Sequence, residues 1–222
     1  MKKFSSSELD GAIYGAILGD ASLSKPTGNS NSNITLTHSP KQTEYLEFKV
    51  EIFKQIHPLV FKFKSINFFN KKQNKIYTTY YYYSNYTQYL TKLRHKFYPN
   101  GIKQVSYDIL NKLTPLGLAI WWMDDGSLVI YERKDRNAVN RYATLATCSF
   151  SKEEHEIIKN YFINTWDIKP KIVKRNQKGK IYYIIMFPMI EFIKFRNIIK
   201  DFIIPSMNYK IDLKYVNQNL DV

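Results

Sequence analysis

The sequence contains a single cysteine, Cys148, among its 222 residues. One cysteine cannot form an internal disulfide, and it cannot build a zinc site of the cysteine-rich type. The few histidines are scattered along the chain without the spacing of a zinc motif. The sequence therefore predicts a protein of a reducing, intracellular compartment whose chemistry does not depend on zinc.

Long apolar runs are also lacking. The apolar stretch that begins at Ala12 is preceded by Glu8 and Asp10 and ends at Asp20, a pattern that excludes a secretory signal peptide. The most apolar late segment, residues 181–193, is too short to span a bilayer and contains a proline and a glutamate. We therefore expect neither secretion nor membrane insertion.

Positive charge, in contrast, is abundant. The chain has 33 Lys and Arg against 19 Asp and Glu, which gives a formal net charge of +14. A basic surface on an ordered domain indicates a polyanionic partner, with nucleic acid ahead of an anionic membrane. AT-rich coding also enriches Lys, Asn, Ile and Tyr without a functional reason. The composition accordingly fits a mitochondrial genome or an AT-rich bacterial or phage genome.

Two segments of the chain are similar to each other. They are GAIYGAILGDAS, residues 11–22, and LAIWWMDDGS, residues 118–127, and each is an apolar helical run that ends in a carboxylate beside a small residue. A capping box that begins at Ser5 precedes the first run, and Thr114 followed by a proline precedes the second. Both segments are therefore predicted to be helices with well-marked starts.

The segments that follow each motif are predicted to have the same order of elements. Hydrophobic periodicity indicates two strands, a helix, two more strands and a last helix in each half. The sequence therefore predicts an α+β fold of two pseudo-symmetric αββαββα lobes with antiparallel sheets, packed through the two motif helices. We expect an N-terminal lobe at residues 1–100, a linker at 101–113 and a C-terminal lobe at 114–222.

Small residues form a stripe along the first motif helix at spacings of three and four, which lets a second backbone approach closely. The second motif is bulkier, so the contact between the helices is expected to be asymmetric. The predicted helix interface consists of Ala12, Gly15, Ala16, Gly19, Leu118 and Trp121.

Side-by-side packing of these helices would bring Asp20 and Asp125 together at their C-terminal ends. Two carboxylates at negative helix ends repel each other, and a divalent cation would relieve the repulsion. Hard oxygen ligands with room for water are typical of a Mg²⁺ site. A lone aspartate would be explained as a solvated helix terminus, but two matched acids in a basic chain favour a metal site that acts on a phosphodiester.

The later strands of each half carry Lys or Arg at alternating positions, which predicts a basic sheet face with interleaved polar and aromatic residues. Such a face suits contacts with phosphates and base edges in a DNA major groove, although alternation also describes any half-solvated sheet. The residues predicted to contact DNA are Lys62, Lys64, Asn67, Lys75, Tyr80, Tyr82, Lys171, Lys174, Arg175 and Lys180.

Residues 15–21, GAILGDA, and residues 118–126, LAIWWMDDG, resemble the two motifs of the single-chain LAGLIDADG homing endonucleases. The resemblance covers nearly the whole chain because the repeat layout matches as well. It implies a monomeric, site-specific endonuclease whose two sheets form a saddle on double-stranded DNA. It also implies a long asymmetric target, short 3′ overhangs, and Mg²⁺ as cofactor with Mn²⁺ as a substitute.

Carried over residue by residue, the resemblance makes Asp20 and Asp125 the metal-binding catalytic acids. Ala21 and Gly126, the residues that follow them, become further metal-binding positions. Asp124 is expected to help end the second helix. The family also places one lysine from each lobe near the scissile phosphates, and Lys103 and Lys210 match those positions.

Polar residues on the strand after each motif position water near the metals in similar enzymes. Thr37 and Ala146 match these positions, with His38 and Thr147 beside them. Alanine departs from the pattern because its side chain cannot bind water. The predicted water-positioning residues are therefore Thr37, His38 and Thr147.

Two other functions are compatible with the same scaffold. One is a maturase that binds intron RNA and aids splicing, and the other is a nucleic-acid-binding protein that does not cut. The presence of both acids favours the endonuclease, because an RNA chaperone has no need for them.

Overall fold

The computed structural model describes residues 2–28, 30–133 and 138–213. The first lobe consists of α1 (Ser6–Leu18), β1 (Ser22–Leu23), β2 (Ile34–His38), α2 (Thr43–Phe53), β3 (Phe61–Asn70), β4 (Lys75–Ser84) and α3 (Gln88–Phe97). After a short α4 (Tyr107–Leu110), the second lobe consists of α5 (Pro115–Asp125), β5 (Gly126–Arg133), β6 (Ala138–Leu145), α6 (Lys152–Trp166), β7 (Lys171–Gln177), β8 (Lys180–Pro188) and α7 (Met189–Ile199). The prediction of an α+β fold with two αββαββα lobes is confirmed.

The two sheets have the same topology. Each is antiparallel and four-stranded, with the orders β1-β2-β4-β3 and β5-β6-β8-β7. In both sheets the second strand pairs with the last strand of its lobe, so that Leu36 lies opposite Tyr82 and Leu145 lies opposite Ile185. The repeat in the sequence is thus a repeat in strand pairing as well.

Both motif helices begin where the sequence predicts. The Ser5 hydroxyl accepts the Glu8 N–H and the Glu8 carboxylate accepts the Ser5 N–H, which completes the capping box. The Thr114 hydroxyl accepts the Gly117 N–H at the start of α5. These side chains satisfy backbone donors that a helix start leaves without partners.

Backbone atoms of α1 and α5 are in direct contact. A Cβ on Gly15 would collide with the Gly117 carbonyl, and a Cβ on Gly117 would collide with the Gly11 carbonyl. Further along, a Cβ on Gly19 would lie 2.6 Å from the Cβ of Asp124. Because the contacts advance in the same direction along both helices, the two C-terminal ends meet.

The predicted interface residues Ala12, Ala16, Leu118 and Trp121 are all buried. Gly11 and Gly117 make two of the tightest contacts between the helices, and of these two glycines only Gly117 was not indicated by the sequence pattern. The core formed around this interface is continuous between the two lobes.

None of the described helices combines the length and apolar character that a membrane crossing requires.

Gly15→Ala tests the close approach of the helices. Helix propensity alone predicts a gain of about 1 kcal/mol for this change. We expect the opposite sign, a loss of about 2 kcal/mol or more, because the new methyl group would overlap the Gly117 carbonyl. Chemical denaturation would measure the difference, and a stabilised variant would show that the helices are further apart.

Candidate active site

The two predicted acids lie at the adjoining ends of α1 and α5. Asp20 follows the Gly19 cap of α1 and is exposed, whereas Asp125 is the last residue of α5 and is half-buried. Burial raises the pKa of Asp125 to about 7, and the charges of Asp124 and Asp20 act in the same direction. Although Asp20 is exposed, the protein around it partly desolvates its carboxylate, and this desolvation, followed by the charge of Asp124, also raises its pKa. Three carboxylates are therefore close enough to repel one another.

These three carboxylates differ in what they contact. Both oxygens of Asp124 accept hydrogen bonds from the protein. Within residues 2–28, 30–133 and 138–213, no hydrogen bond or ion pair engages the carboxylate of Asp20 or of Asp125. The oxygens of these two acids are therefore available to a cation or a substrate.

Lys103 lies beside the end of α1. Its Nζ donates to the Gly19 carbonyl oxygen at 3.0 Å and approaches the Leu18 carbonyl oxygen at 3.4 Å. An ammonium group at this position stabilises the negative end of the helix dipole. Burial lowers the pKa of Lys103, while the charge of Asp125 opposes that shift.

Lys210 makes the matching contact with α5. Its Nζ donates to the carbonyl oxygens of Met123 at 2.5 Å and Asp124 at 3.1 Å. Burial lowers the pKa of Lys210, and the charge of Asp124 opposes the shift. Both predicted lysines therefore lie at the helix ends that carry the acids, one on each motif.

Asp124 does more than end its helix. Its Oδ1 accepts a hydrogen bond from Lys49 Nζ at 2.8 Å, and both side chains are completely buried. Its Oδ2 accepts the backbone N–H of Asp20 at 3.2 Å. A carboxylate of the second lobe is thus bonded to α2 and to the main chain of Asp20 in the first lobe.

His38 is buried beneath this cluster rather than exposed to water. Its Nδ1 lies 3.2 Å from Gln42 Oε1, and its Nε2 lies 3.7 Å from Asp124 Oδ1. Burial, followed by the charge of Lys49, lowers the pKa of His38 to about 4, so the imidazole is neutral near pH 7. His38 also lines a cleft together with Asp20 and Thr37, and its Nε2 has no hydrogen-bond partner among the described residues. Water positioning by His38 therefore stays a prediction.

Asp20, His38 and Asp124 each offer a ligand atom, and these atoms lie within 4.8 Å of one another. The Lys49 ammonium already contacts Asp124 in this group. Lys49 therefore supplies a protein cation for Asp124, whereas the carboxylates of Asp20 and Asp125 have no such partner among the described residues.

Thr37 and Thr147 have different surroundings. Thr37 is half-buried and lines an open cleft of about 690 Å³ together with Asp20. Thr147 is buried, and its hydroxyl lies 2.8 Å from Nε2 of the buried His155. The water-positioning role predicted for Thr147 is corrected, because its hydroxyl is buried against His155 beyond the end of β6 at Leu145.

Ala146, the residue before Thr147, remains near the second acid. It is exposed, and its N–H donates to the Asp125 carbonyl oxygen at 3.0 Å. The position matched by the sequence analysis is therefore close to Asp125, but its side chain supplies no polar group.

The outer face of the first sheet carries Lys62, Lys64 and Lys75. The pairings Lys62 with Tyr83 and Lys64 with Tyr81 place these two tyrosines on the same face. Tyr80 and Tyr82, which were predicted to contact DNA, alternate to the opposite face and pack partly against the core. Asn67 lies on that inner face as well, where its Oδ1 accepts the Thr78 hydroxyl at 2.8 Å.

The second sheet requires a similar correction. Lys171, Arg175 and Lys180 share its outer face, as the alternation along β7 and β8 requires. Lys174 lies opposite Tyr183, whose ring contacts the buried His155. Lys174 is exposed, but it projects from the inner side of the sheet.

Sequence reasoning missed Lys49. The only signal was its spacing in α2, where it follows the buried Tyr45 by four residues and precedes the buried Phe53 by four. A lysine in the apolar stripe of a helix requires a buried partner. The sequence could not identify Asp124 as that partner, which lies 75 residues away.

Comparisons with known proteins agree with this geometry. A family model described as the LAGLIDADG DNA endonuclease family matches residues 11–195. The "Probable intron-encoded endonuclease 1" of Wickerhamomyces canadensis is 31% identical over 90% of this chain and 81% of its own length. "Protein RecA" of Mycobacterium shimoidei is 26% identical over 90% of this chain, which spans only 45% of that relative's length.

Two solved structures extend the comparison. The homing endonuclease I-WcaI, bound to its DNA recognition sequence, matches with a TM-score of 0.78 and 25% identity, covering 95% of this chain and 88% of its own. A variant of I-DmoI, solved with its target DNA and Mg²⁺, matches with a TM-score of 0.51 and 12% identity, covering 87% and 96%. At that identity the second match supports the fold alone.

Lys49→Met tests the buried ion pair. We expect it to lower the free energy of unfolding by about 3–5 kcal/mol, because the Asp124 carboxylate would be buried without its partner. Adding Asp124→Asn removes the orphaned charge and should recover most of the loss. Lys159→Met, which breaks the surface pair with Glu156, is the control and should leave Tm nearly unchanged. Equal effects of Lys49→Met and Lys159→Met in thermal denaturation would show that the Lys49 pair is not buried.

Proposed function

Because this chain belongs to the LAGLIDADG DNA endonuclease family, we propose that it cuts both strands of a double-stranded DNA target. The proposed enzyme is a monomer, since one chain supplies both motif helices. It acts on a long asymmetric site and leaves short 3′ overhangs. The observation that carries the proposal is the pairing of two unengaged carboxylates, Asp20 and Asp125, at the ends of touching helices.

The donor set fits a hard divalent cation, because burial and the charge of Asp124 raise the pKa of both carboxyl groups and no protein cation is bonded to them among the described residues. Asp20 and Asp125, with Ala21 and Gly126 as neighbouring metal-binding positions, would hold Mg²⁺ or Mn²⁺. When bound, the cation would stabilise charge on the phosphate and activate water for attack. The observations that support a metal site here concern the carboxylate oxygens of Asp20 and Asp125. Ala21 and Gly126 are included because they match the family's motif.

The lysines act from the flanks of the site. Lys103 and Lys210 hold their ammonium groups against the last carbonyls of α1 and α5. In this position each is proposed to stabilise the charge that develops on a scissile phosphate. The partial burial of both lysines strengthens such an interaction, because little water screens it.

The basic outer faces of the sheets are the proposed DNA contacts. On the first sheet they present Lys62, Lys64 and Lys75, and on the second they present Lys171, Arg175 and Lys180. Intron RNA is the alternative nucleic-acid ligand of these surfaces. An organellar, bacterial or phage location fits the AT-rich composition and the intron-encoded relative.

Cleavage of a selected duplex tests the proposed function. The protein with Mg²⁺ would select cleavable sites from a randomised duplex library, and a chosen site would be assayed with strand-specific labels. Wild-type protein should make a double-strand break, whereas Asp20→Asn and Asp125→Asn should make none and should bind with an affinity near that of wild type. Asp167→Asn is the control acid, because Asp167 is exposed and, among the described residues, pairs with the surface lysine Lys194. Splicing of an intron without any DNA break would favour the maturase instead.

Charge removal on one strand of the second sheet tests the DNA-binding face. We expect Lys171→Gln with Arg175→Gln to weaken binding and to reduce the slope of log affinity against log salt by about 2. Lys174→Gln is the matched control, since it removes a charge from the inner side of the same strand. Fluorescence anisotropy across a salt series measures both, and an equal loss of slope from Lys174→Gln alone would contradict the assignment of faces.

A further inference from the structure

The two catalytic acids are held in different ways. Asp20 lies beyond the end of α1, and its N–H is bonded to the Asp124 side chain of the other lobe at 3.2 Å. Asp125 is still part of α5. The first acid thus depends on a side chain from the second lobe, whereas the second is positioned by its own helix.

The bond from the Asp124 side chain to the Asp20 N–H has no counterpart that reaches Asp125, and the repeat in the sequence shows why. Lys103 contacts the carbonyl of Gly19, and Lys210 contacts the carbonyl of Asp124, so Gly19 and Asp124 occupy equivalent positions. Gly19 has no side chain to bond Asp125. It must also stay small, because a Cβ there would lie 2.5 Å from Asp124 Oδ2.

Lys49 holds Asp124 in this orientation. Its ammonium binds Oδ1 at 2.8 Å, which leaves Oδ2 for the Asp20 N–H. Tyr45, one turn earlier in α2, donates its hydroxyl to the Ile120 carbonyl and ties the same helix to α5. The bond to Asp20 therefore belongs to a rigid network that crosses between the lobes.

We infer that Asp124, fixed by Lys49, is a positioning residue for Asp20 and makes the two halves of the active site inequivalent. Asp124 acts through the main chain of Asp20 and does not touch the substrate. Its loss displaces one catalytic acid and leaves the other in place, so one DNA strand is affected more than the other. The inference rests on the proposed endonuclease activity.

Two double variants separate positioning from charge and stability. Lys49→Met with Asp124→Asn removes both buried charges but keeps a side-chain oxygen that can accept the Asp20 N–H. Lys49→Met with Asp124→Ala removes the charges and the acceptor. Since neither leaves an orphaned charge in the core, both are expected to fold. Circular dichroism and Tm would check this before any comparison.

The first readout is hydrogen exchange at the Asp20 amide, which needs neither DNA nor metal. Exchange should quicken by about 10-fold or more in the alanine variant, because the amide has lost its acceptor. It should stay within about 3-fold of wild type in the asparagine variant. Equal exchange in all three proteins would overturn the inference.

The second readout is the ratio of the two strand-nicking rates on a strand-labelled duplex. A merely structural defect slows both strands by the same factor and leaves this ratio unchanged. We expect the alanine variant to change the ratio by about 10-fold or more, since small displacements of a catalytic group are costly. The asparagine variant should keep the wild-type ratio, as should Asp167→Asn.

An unchanged ratio in the alanine variant, with wild-type protein cutting normally, would overturn the inference alone. Failure of the wild-type protein to nick either strand of a duplex that it binds would overturn the proposed function instead. The two failures are therefore distinguishable.

Discussion

The site depends on how closely the backbones of α1 and α5 approach each other. At Gly15 and Gly117 one main chain lies directly against the other, without room for a methyl group. The contacts run in parallel along both helices, so their C-terminal ends are brought to one place. The negative ends of two helix dipoles then converge, together with the acidic residues that each helix carries.

This convergence creates a concentration of negative charge that the protein only partly neutralises. Three lysines approach the three carboxylates, but they do so in different ways. Lys49 binds the Asp124 carboxylate itself, whereas Lys103 and Lys210 bind main-chain carbonyls. The charge of Asp124 is therefore satisfied inside the protein, while the carboxylates of the two terminal acids have no protein partner among the described residues. That division separates a structural acid from two acids that can work on a ligand.

The fold was largely predictable because its signals are local. Capping residues, alternation within strands and the repeated order of elements each depend on neighbours in the sequence. The buried face of β4 was harder to predict. Residues 80–83 are four consecutive tyrosines, so the sequence looks the same whichever face is buried. The face of Lys174, in contrast, could have been predicted correctly. Lys174 lies two residues after the partly buried Ile172, and residues two apart in a strand share a face.

The site was predictable only in part, because its decisive contacts join distant segments. The motif spacing brought Asp20 and Asp125 to equivalent places, but nothing local linked Lys49 to Asp124. Thr147 was misplaced because the end of β6 depends on tertiary structure that the strand pattern does not contain. The contacts that distinguish the three acids are thus the ones that a sequence pattern cannot supply.

Because the two lobes are joined in one chain, the two helix ends can carry different residues, Gly19 on one and Asp124 on the other. In a symmetric dimer, an aspartate at the position of Asp124 would also occupy the position of Gly19. Each side chain would then need the space that only a glycine leaves, and two buried carboxylates would face each other. With both lobes in one chain, one position can remain small while the other gains a carboxylate and its lysine. Ala16 and Trp121, which occupy equivalent positions in the two motif helices, differ in size in the same way, and both are buried.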